Sequence, residues 1–369
     1  IIIIAGDIFD SRDIKLDSES VKLVTKTVFD LAEIAPVAID IGTPSHDGLS
    51  SEIFAYSKDG HSVTVATKPM QLKYCRERLY PIDYDTGQNS HAVISIIPTP
   101  TKQFFNDGSI TESNENISQA MNGLFAGFGA QSAPYMRQSS GGQCSHILVG
   151  HWNVSGSKLP TGQTLTGQDI DIGIDQMMLA DPALICLGHI HQAQHLSDLA
   201  FYSGSLYPLN WGEMTPHGFY IHGLEGKQLV SSEYFETPCR KLIRLTGDFT
   251  TADESLHYDH SIWDKEEDIA VADAFVRIDI TCWQDDAVKI DKDNMAAYFK
   301  SLGALNVDVR LIRVPRQTVR SEAVLKVETL RDKLTAMASI KGETVPESIL
   351  QKADHLEAGP IEEVIRRAA

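Results

Sequence analysis

The run Ile1-Ile2-Ile3-Ile4-Ala5 has no polar position and stops at Gly6-Asp7. Without alternation both of its faces must be covered, so it reads as a fully buried β-strand. A polar stretch follows, and then Val21, Val24, Val28 and Leu31 recur at helical spacing, which predicts an amphipathic helix over 18–35. A second buried strand is predicted over 36–41. Strand, helix, strand is the pattern of a parallel βαβ unit, so an α/β fold is expected. In such sheets functional groups collect just beyond the carboxyl ends of the strands, where Asp7 and His46 fall.

Short alternating runs at 63–65 and 92–97 predict further strands. Residues 106–142, rich in Ser, Asn, Gly and Gln, predict a helix over 116–125 and then an insertion-like loop. Strands over 145–149 and 183–187 end in Gly150-His151 and in Gly188-His189-Ile190-His191, with a short helix over 173–179 between them. The runs 218–224 and 228–235 suit a hairpin. A boundary at Thr237-Pro238 precedes a small α/β domain with strands over 241–245, 274–281 and 307–314 and a helix over 292–302. Helices over 318–337 and 346–356 follow. The first carries the stripe Val324, Val327, Leu330, Leu334, which packs on its own domain or on a partner.

Fifty acidic against 32 basic residues give a formal charge of −18, which excludes a chain that coats nucleic acid by bulk electrostatics. A nucleic-acid role then needs a local basic surface or bound cations to offset the acidity. The five cysteines are widely spaced, with no Cys-x-x-Cys pair, so neither a disulfide framework nor a zinc knuckle is indicated, and a reducing cytoplasm is the expected compartment. No apolar run approaches the roughly 18 residues of a membrane helix. Because domains seldom begin inside a core strand, a further strand and helix are expected ahead of Ile1.

The strand-end groups carry the chemistry. Two imidazoles two residues apart on extended backbone face the same way, so His189 and His191 can serve one ion or two neighbouring ions. Alone, such a pair is more often structural, just as Asp7 can be a helix N-cap and His151 a core histidine. Asp7, His46, His151, His189 and His191 at successive strand ends are harder to dismiss. Carboxylate oxygen with imidazole nitrogen suits Mn²⁺, Fe²⁺ or Zn²⁺. Two ions about 3.5–4 Å apart can clamp a phosphate and activate water.

Gly6-Asp7-x-x-Asp10, then His46-Asp47, Gly150-His151 and Gly188-His189-x-His191, in this order, resembles the calcineurin-like metallophosphoesterases. Tyr202-x-Gly204-Ser205-Leu206 followed by Trp211-Gly212-Glu213 is similar, more narrowly, to the SbcD-type DNA repair nucleases, which act with SbcC-type ATPases on double-strand breaks. The resemblance implies a four-layer α/β/β/α metallophosphoesterase sandwich over 1–236, a smaller α/β capping and DNA-binding domain over 237–316, and C-terminal helices over 317–369 that dock on the coiled-coil base of the ATPase. It also implies a homodimer acting on double-stranded DNA ends and hairpins with two divalent ions, Mn²⁺ foremost and Mg²⁺, Fe²⁺ or Zn²⁺ as alternatives. Asp7 would bridge both ions, His151 and His189 would each ligate one or the other, and His191 would complete one shell. His46 would contact the scissile phosphate and aid departure of the leaving oxygen.

Two departures stand out. The family's first motif, Asp-x-His, has no match, and it is expected upstream of Ile1. Gly42-Thr43-Pro44-Ser45-His46-Asp47 replaces Gly-Asn-His-Asp, so Ser45 stands where the family has a metal-ligating Asn, and either Ser45 or a water fills that place. The chain as given is therefore expected to bind metal weakly and to be nearly inactive, and the intact protein to be a nuclease. The competing expectations are a catalytically silent scaffold that tethers an ATPase to DNA ends, and a metallophosphatase acting on another phosphoester. Gly156-Ser157-Lys158 lacks the earlier glycine of a P-loop, so the chain itself is not expected to bind ATP.

Overall fold

The computed structural model describes residues 1–56, 60–100, 114–138, 144–158, 171–213, 215–250, 270–316 and 327–358. The chain is mixed α/β. Packing divides it into two units, the first made of Ile1–Leu245, Asp268–Ile278 and Ala296–Asp308.

In the first unit, β1 (Ile2–Ala5), β2 (Val37–Asp40) and β3 (Val63–Ala66) pair in parallel in that order. The crossover is α1 (Glu19–Ile34), which begins where the Ser18 side chain accepts the Val21 N–H and ends at Ala35, before Pro36. The predicted helix and its flanking strands thus form within a residue or two of their expected ends, but β1 is not fully buried: Ile1 is exposed and Ile2–Ala5 are only partly covered, because among the described residues β1 is an edge of this sheet with β2 on one side alone. Val21, Val28 and Ala32 of α1 pack with Val37 and Ile39 of β2, and Phe54 closes that core.

A second, seven-stranded sheet runs in the order β11-β12-β10-β7-β6-β4-β5. Its members are β4 (Met70–Cys75), β5 (Arg78–Pro81), β6 (Ala92–Ile97), β7 (Ser145–His151), β10 (Leu184–Gly188), β11 (Gln194–His195) and β12 (Ala200–Tyr202), while the short strands β8 (Asn153–Val154) and β9 (Asp171–Ile172) pair with each other apart from it. Strands β6, β7, β10 and β12 are parallel, while β4, β5 and β11 are antiparallel to their neighbours. Alternate residues of β6 and β7, such as Ile94, Ile96, Ile147 and Val149, share a core with Ala38 of β2 and Ala66 of β3. On the other face Leu148 and Ile97 pack with Met121, Phe125 and Phe128.

Those aromatic residues belong to α2 (Asn114–Gln138), which is far longer than expected. The Gly- and Ser-rich stretch read as an insertion-like loop is helical over 126–138, because Phe125 and Phe128 are buried against the sheet and tertiary packing outweighs weak local propensity. Gly129 sits where a Cβ would lie 2.8 Å from the Leu179 carbonyl oxygen, so the composition that suggested a loop allows a close helix contact. The expected short helix is α3 (Ile174–Met177), continued by a 3-10 turn at Met178–Ala180. The hairpin forms as β13 (Gly218–Glu225) and β14 (Gln228–Glu236).

Three later strands, β15 (Lys241–Asp248), β16 (Ala274–Trp283) and β17 (Asn306–Val314), form a sheet in that order, and α4 (Lys292–Ser301) falls where a helix was predicted. In the second unit, α5 (Leu330–Lys341) starts at the Thr329 cap, so 327–329 precede the helix that was expected from 318; Val324 lies outside the described residues. Arg331 on α5 pairs with Glu347 and Asp354 of α6 (Glu347–Ala358). No helix among the described residues is long and apolar enough to cross a membrane.

Candidate metal centre

Strands β1, β2, β7 and β10 are followed at their carboxyl ends by Asp7, the loop 41–49, His151 and His189. Beyond β1 the chain turns sharply, with Gly6 at φ 85° and Asp7 at φ 52°. A Cβ at Gly6 would overlap His151 Nδ1 and lie 2.6 Å from Gly42 Cα, so only glycine passes here. Asp tolerates the left-handed region better than most residues, and a strained position of this kind belongs to sites rather than to cores.

His151 is held by a short bond: its Nδ1 lies 2.6 Å from the Ala5 carbonyl oxygen and must donate, since a carbonyl only accepts. The neutral ring then carries its lone pair on Nε2, which faces Asp7 Oδ2 at 3.0 Å. Two acceptors face each other at that distance only with a proton or a cation between them. One ligand atom from each of Asp7, His151 and His189 lies within 4.8 Å of the others, and the two imidazole rings meet edge to face at 5.3 Å. A carboxylate with two imidazoles fits a divalent first-row cation, so the residues present suit the expected metal.

Burial pushes the Asp7 carboxyl up, but the hydrogen bond and charge of His151 and the N–H of Thr43 outweigh it and hold the group below the usual carboxylate range. Asp47 ties the two loops together. Its Oδ1 accepts the Phe9 N–H at 2.8 Å and its Oδ2 the Gly42 N–H at 3.1 Å.

The two histidines expected to share a strand face do not. β10 ends at Gly188, and His189 turns into the left-handed region at φ 97°, so extended-strand geometry does not apply. His189 joins Asp7 and His151, whereas His191 lies outside that group, with Nδ1 2.8 Å from Glu213 Oε1. Glu213 is buried and also accepts from Leu209 N–H at 2.8 Å and Asn210 Nδ2 at 2.7 Å, which fixes the orientation of the His191 ring.

His46 is 42% exposed and its Nδ1 donates to the Asp10 carbonyl at 3.2 Å; it is outside the Asp7–His151–His189 group but near enough for its charge to favour the ionised Asp7. Ser45 is exposed, and its carbonyl accepts the Arg12 N–H at 3.3 Å. The loop side chain that reaches the cluster is Thr43. Its N–H donates to Asp7 Oδ1 at 2.6 Å and its hydroxyl to Asp7 Oδ2 at 3.2 Å. Ser45 holds the place before His46-Asp47 that the resemblance assigns to a ligand, whereas Thr43 lies three residues past the end of β2, directly after Gly42, whose lack of a side chain lets the loop close on Asp7.

Asp40 is the other residue that the motifs missed. It continues the side of β2 that carries Ala38, is wholly buried, and neither side-chain oxygen has a hydrogen-bond partner among the described residues. Burial first, then the charges of Asp47 and Asp7, hold its carboxyl well above the usual range. As pH rises past about 4 the unfolded chain ionises while the folded one does not, so this group costs stability from there up to its raised folded pKa, at about 1.4 kcal/mol per unit of separation. Asp40→Asn is therefore expected to raise the metal-free protein's melting temperature at pH 8 and to change it little at pH 4. Thermal melts at the two pH values check this, and an equal effect at both would refute it.

No family model matches the chain, and comparison with curated proteins finds no match.

Proposed function

We propose that this chain is the nuclease subunit of an SbcD-type complex, hydrolysing DNA phosphodiester bonds with two divalent ions, Mn²⁺ foremost. The observation that carries the reading is the convergence of Asp7 Oδ2 on the lone-pair nitrogen of His151 at 3.0 Å, with His189 beside them, at the ends of parallel strands. Asp7, His151 and His189 would hold one ion, and His191, oriented by Glu213, would serve the other. The bound ions would supply positive charge to the phosphate and lower the pKa of the attacking water. His46, half exposed on the loop after β2, would neutralise charge on the scissile phosphate and give a proton to the departing oxygen.

The fold reading follows the cores. α1 covers one face of the three-stranded sheet, α2 and α3 cover one face of the seven-stranded sheet, and the shared apolar core lies between the sheets. We read this as the four-layer metallophosphoesterase sandwich. In the second unit α5 buries none of its residues, and Met337, Ile340, Ile349 and Leu356 are exposed, as a helical pair that docks on an ATPase coiled coil requires.

The test is Mn²⁺-dependent cleavage of linear and hairpin DNA by the protein expressed from its complete reading frame, with a phosphomonoester assayed alongside. DNA cleavage is expected, and His46→Ala should lower it by at least about 10²-fold while leaving bound Mn²⁺ unchanged. Bound Mn²⁺ without DNA cleavage overturns the nuclease reading in favour of a scaffold. Turnover of the monoester alone makes the protein a phosphatase.

A further inference from the structure

We propose that the Thr43 hydroxyl is a fourth protein donor to the cation held by Asp7, His151 and His189. The inference rests on reading that cluster as a metal centre. Thr43 Oγ1 lies 3.2 Å from Asp7 Oδ2 and 3.4 Å from His151 Nε2, and those two atoms are 3.0 Å apart. Ligands adjacent on an ion with bonds of about 2.1–2.2 Å are separated by about 3.0 Å in an octahedron and about 3.5 Å in a tetrahedron. All three edges of the triangle fall in that interval. In the metal-free protein the hydroxyl donates to Asp7 Oδ2, and a proton fills the gap between that oxygen and His151 Nε2. A cation capping the triangle would take the place of that proton and satisfy all three lone pairs at once.

The position is built rather than incidental. The Thr43 carbonyl accepts the N–H groups of His46 and Asp47 at 2.9 and 3.1 Å, and its own N–H is held by Asp7 Oδ1 at 2.6 Å. At Gly42 a Cβ would overlap Asp7 Oδ1 and lie 2.7 Å from Asp7 Cγ, so the loop approaches the carboxylate as closely as a chain can. Ser45, by contrast, is exposed. The resulting donor set is two oxygens and two imidazole nitrogens, with the hydroxyl adding no charge; such a set leaves room for water and suits six-coordinate Mn²⁺.

The experiment titrates metal-free protein with Mn²⁺ alone, following binding by calorimetry and by the paramagnetic resonance of unbound Mn²⁺. Thr43→Val, nearly isosteric, should weaken this site at least about tenfold, while Thr43→Ser and Ser45→Ala stay close to wild type. Thr43→Val binding as tightly as wild type overturns the proposal, as does an equal loss in Ser45→Ala. If His189→Ala also binds Mn²⁺ normally, it is the metal-centre reading that fails; if only His189→Ala loses binding, the Thr43 proposal alone falls. Should Thr43→Val not fold, Thr43→Cys decides the matter. A cysteine at a ligand position gives bound Co²⁺ a sulfur-to-cobalt charge-transfer band in the near ultraviolet, and its absence overturns the proposal.

Discussion

Asp7→Asn is expected to abolish Mn²⁺ binding at the Asp7–His151–His189 cluster while leaving the fold in place. Asparagine tolerates the left-handed φ of 52° almost as well as aspartate, and its side-chain oxygen can still accept the Thr43 N–H. What it loses is the charge. A removed ligand should cost at least the roughly 100-fold in affinity that loss of a supporting group can cost, and activity should fall by at least about 10²–10³-fold. Calorimetric titration with Mn²⁺ and a DNA cleavage assay read the two effects, and unchanged Mn²⁺ affinity would remove Asp7 from the centre. The variant also separates charge from structure through pH. Because His151 and Thr43 hold the folded Asp7 carboxyl below its ordinary value despite burial, its stabilisation is present above about pH 4 and lost as pH falls through the folded pKa. Metal-free wild type should therefore lose stability in that acid range more steeply than Asp7→Asn.

Gly188→Ala is expected to destabilise the fold by more than about 3 kcal/mol, beyond the usual cost of overpacking, because the added carbon meets backbone. It would overlap the Ala5 carbonyl oxygen and lie 2.8 Å from Ala5 C and 2.7 Å from His151 Nδ1. Gly188 pairs with His151 in the β7–β10 register, and Ala5 ends β1 in the other sheet, so no flexible side chain can yield. The same carbonyl accepts the His151 Nδ1 proton. Relief by moving β1 would thus break the bond that sets the His151 tautomer. The fall in melting temperature should be roughly 4 °C or more, with Mn²⁺ binding lost as well. Gly123→Ala supplies the control: that glycine is in α2, a Cβ there meets nothing within 4 Å, and the change should stabilise by about 0.5–1 kcal/mol. Equal melting temperatures for Gly188→Ala and wild type would refute the packing argument.

Much of this architecture is written locally. Ile1 to Ala5 is uniformly apolar, the α1 stripe has the helical period, and the runs at 92–97 and 218–235 are bounded by turns, so their state follows from short-range chemistry. The α2 segment is not. Its Gly and Ser content favours a loop, and only burial of Phe125 and Phe128 against the seven-stranded sheet decides for helix.

The site divides along the same line. Sequence order alone put Asp7, His151 and His189 at strand ends, because an apolar strand followed by glycine and a polar group can be recognised without knowing its neighbours. It could not show that His189 leaves the strand at a positive φ while His191 turns to Glu213, since backbone direction at a strand end is set by what packs around it. Nor could it show that Thr43 rather than Ser45 reaches Asp7, or that Asp40 is enclosed without a partner. Those outcomes depend on contacts between residues 36 and 144 positions apart in the chain, Asp7 with Thr43 and Asp7 with His151. Periodicity carries no information at that range, and distances there exist only once the two sheets have packed.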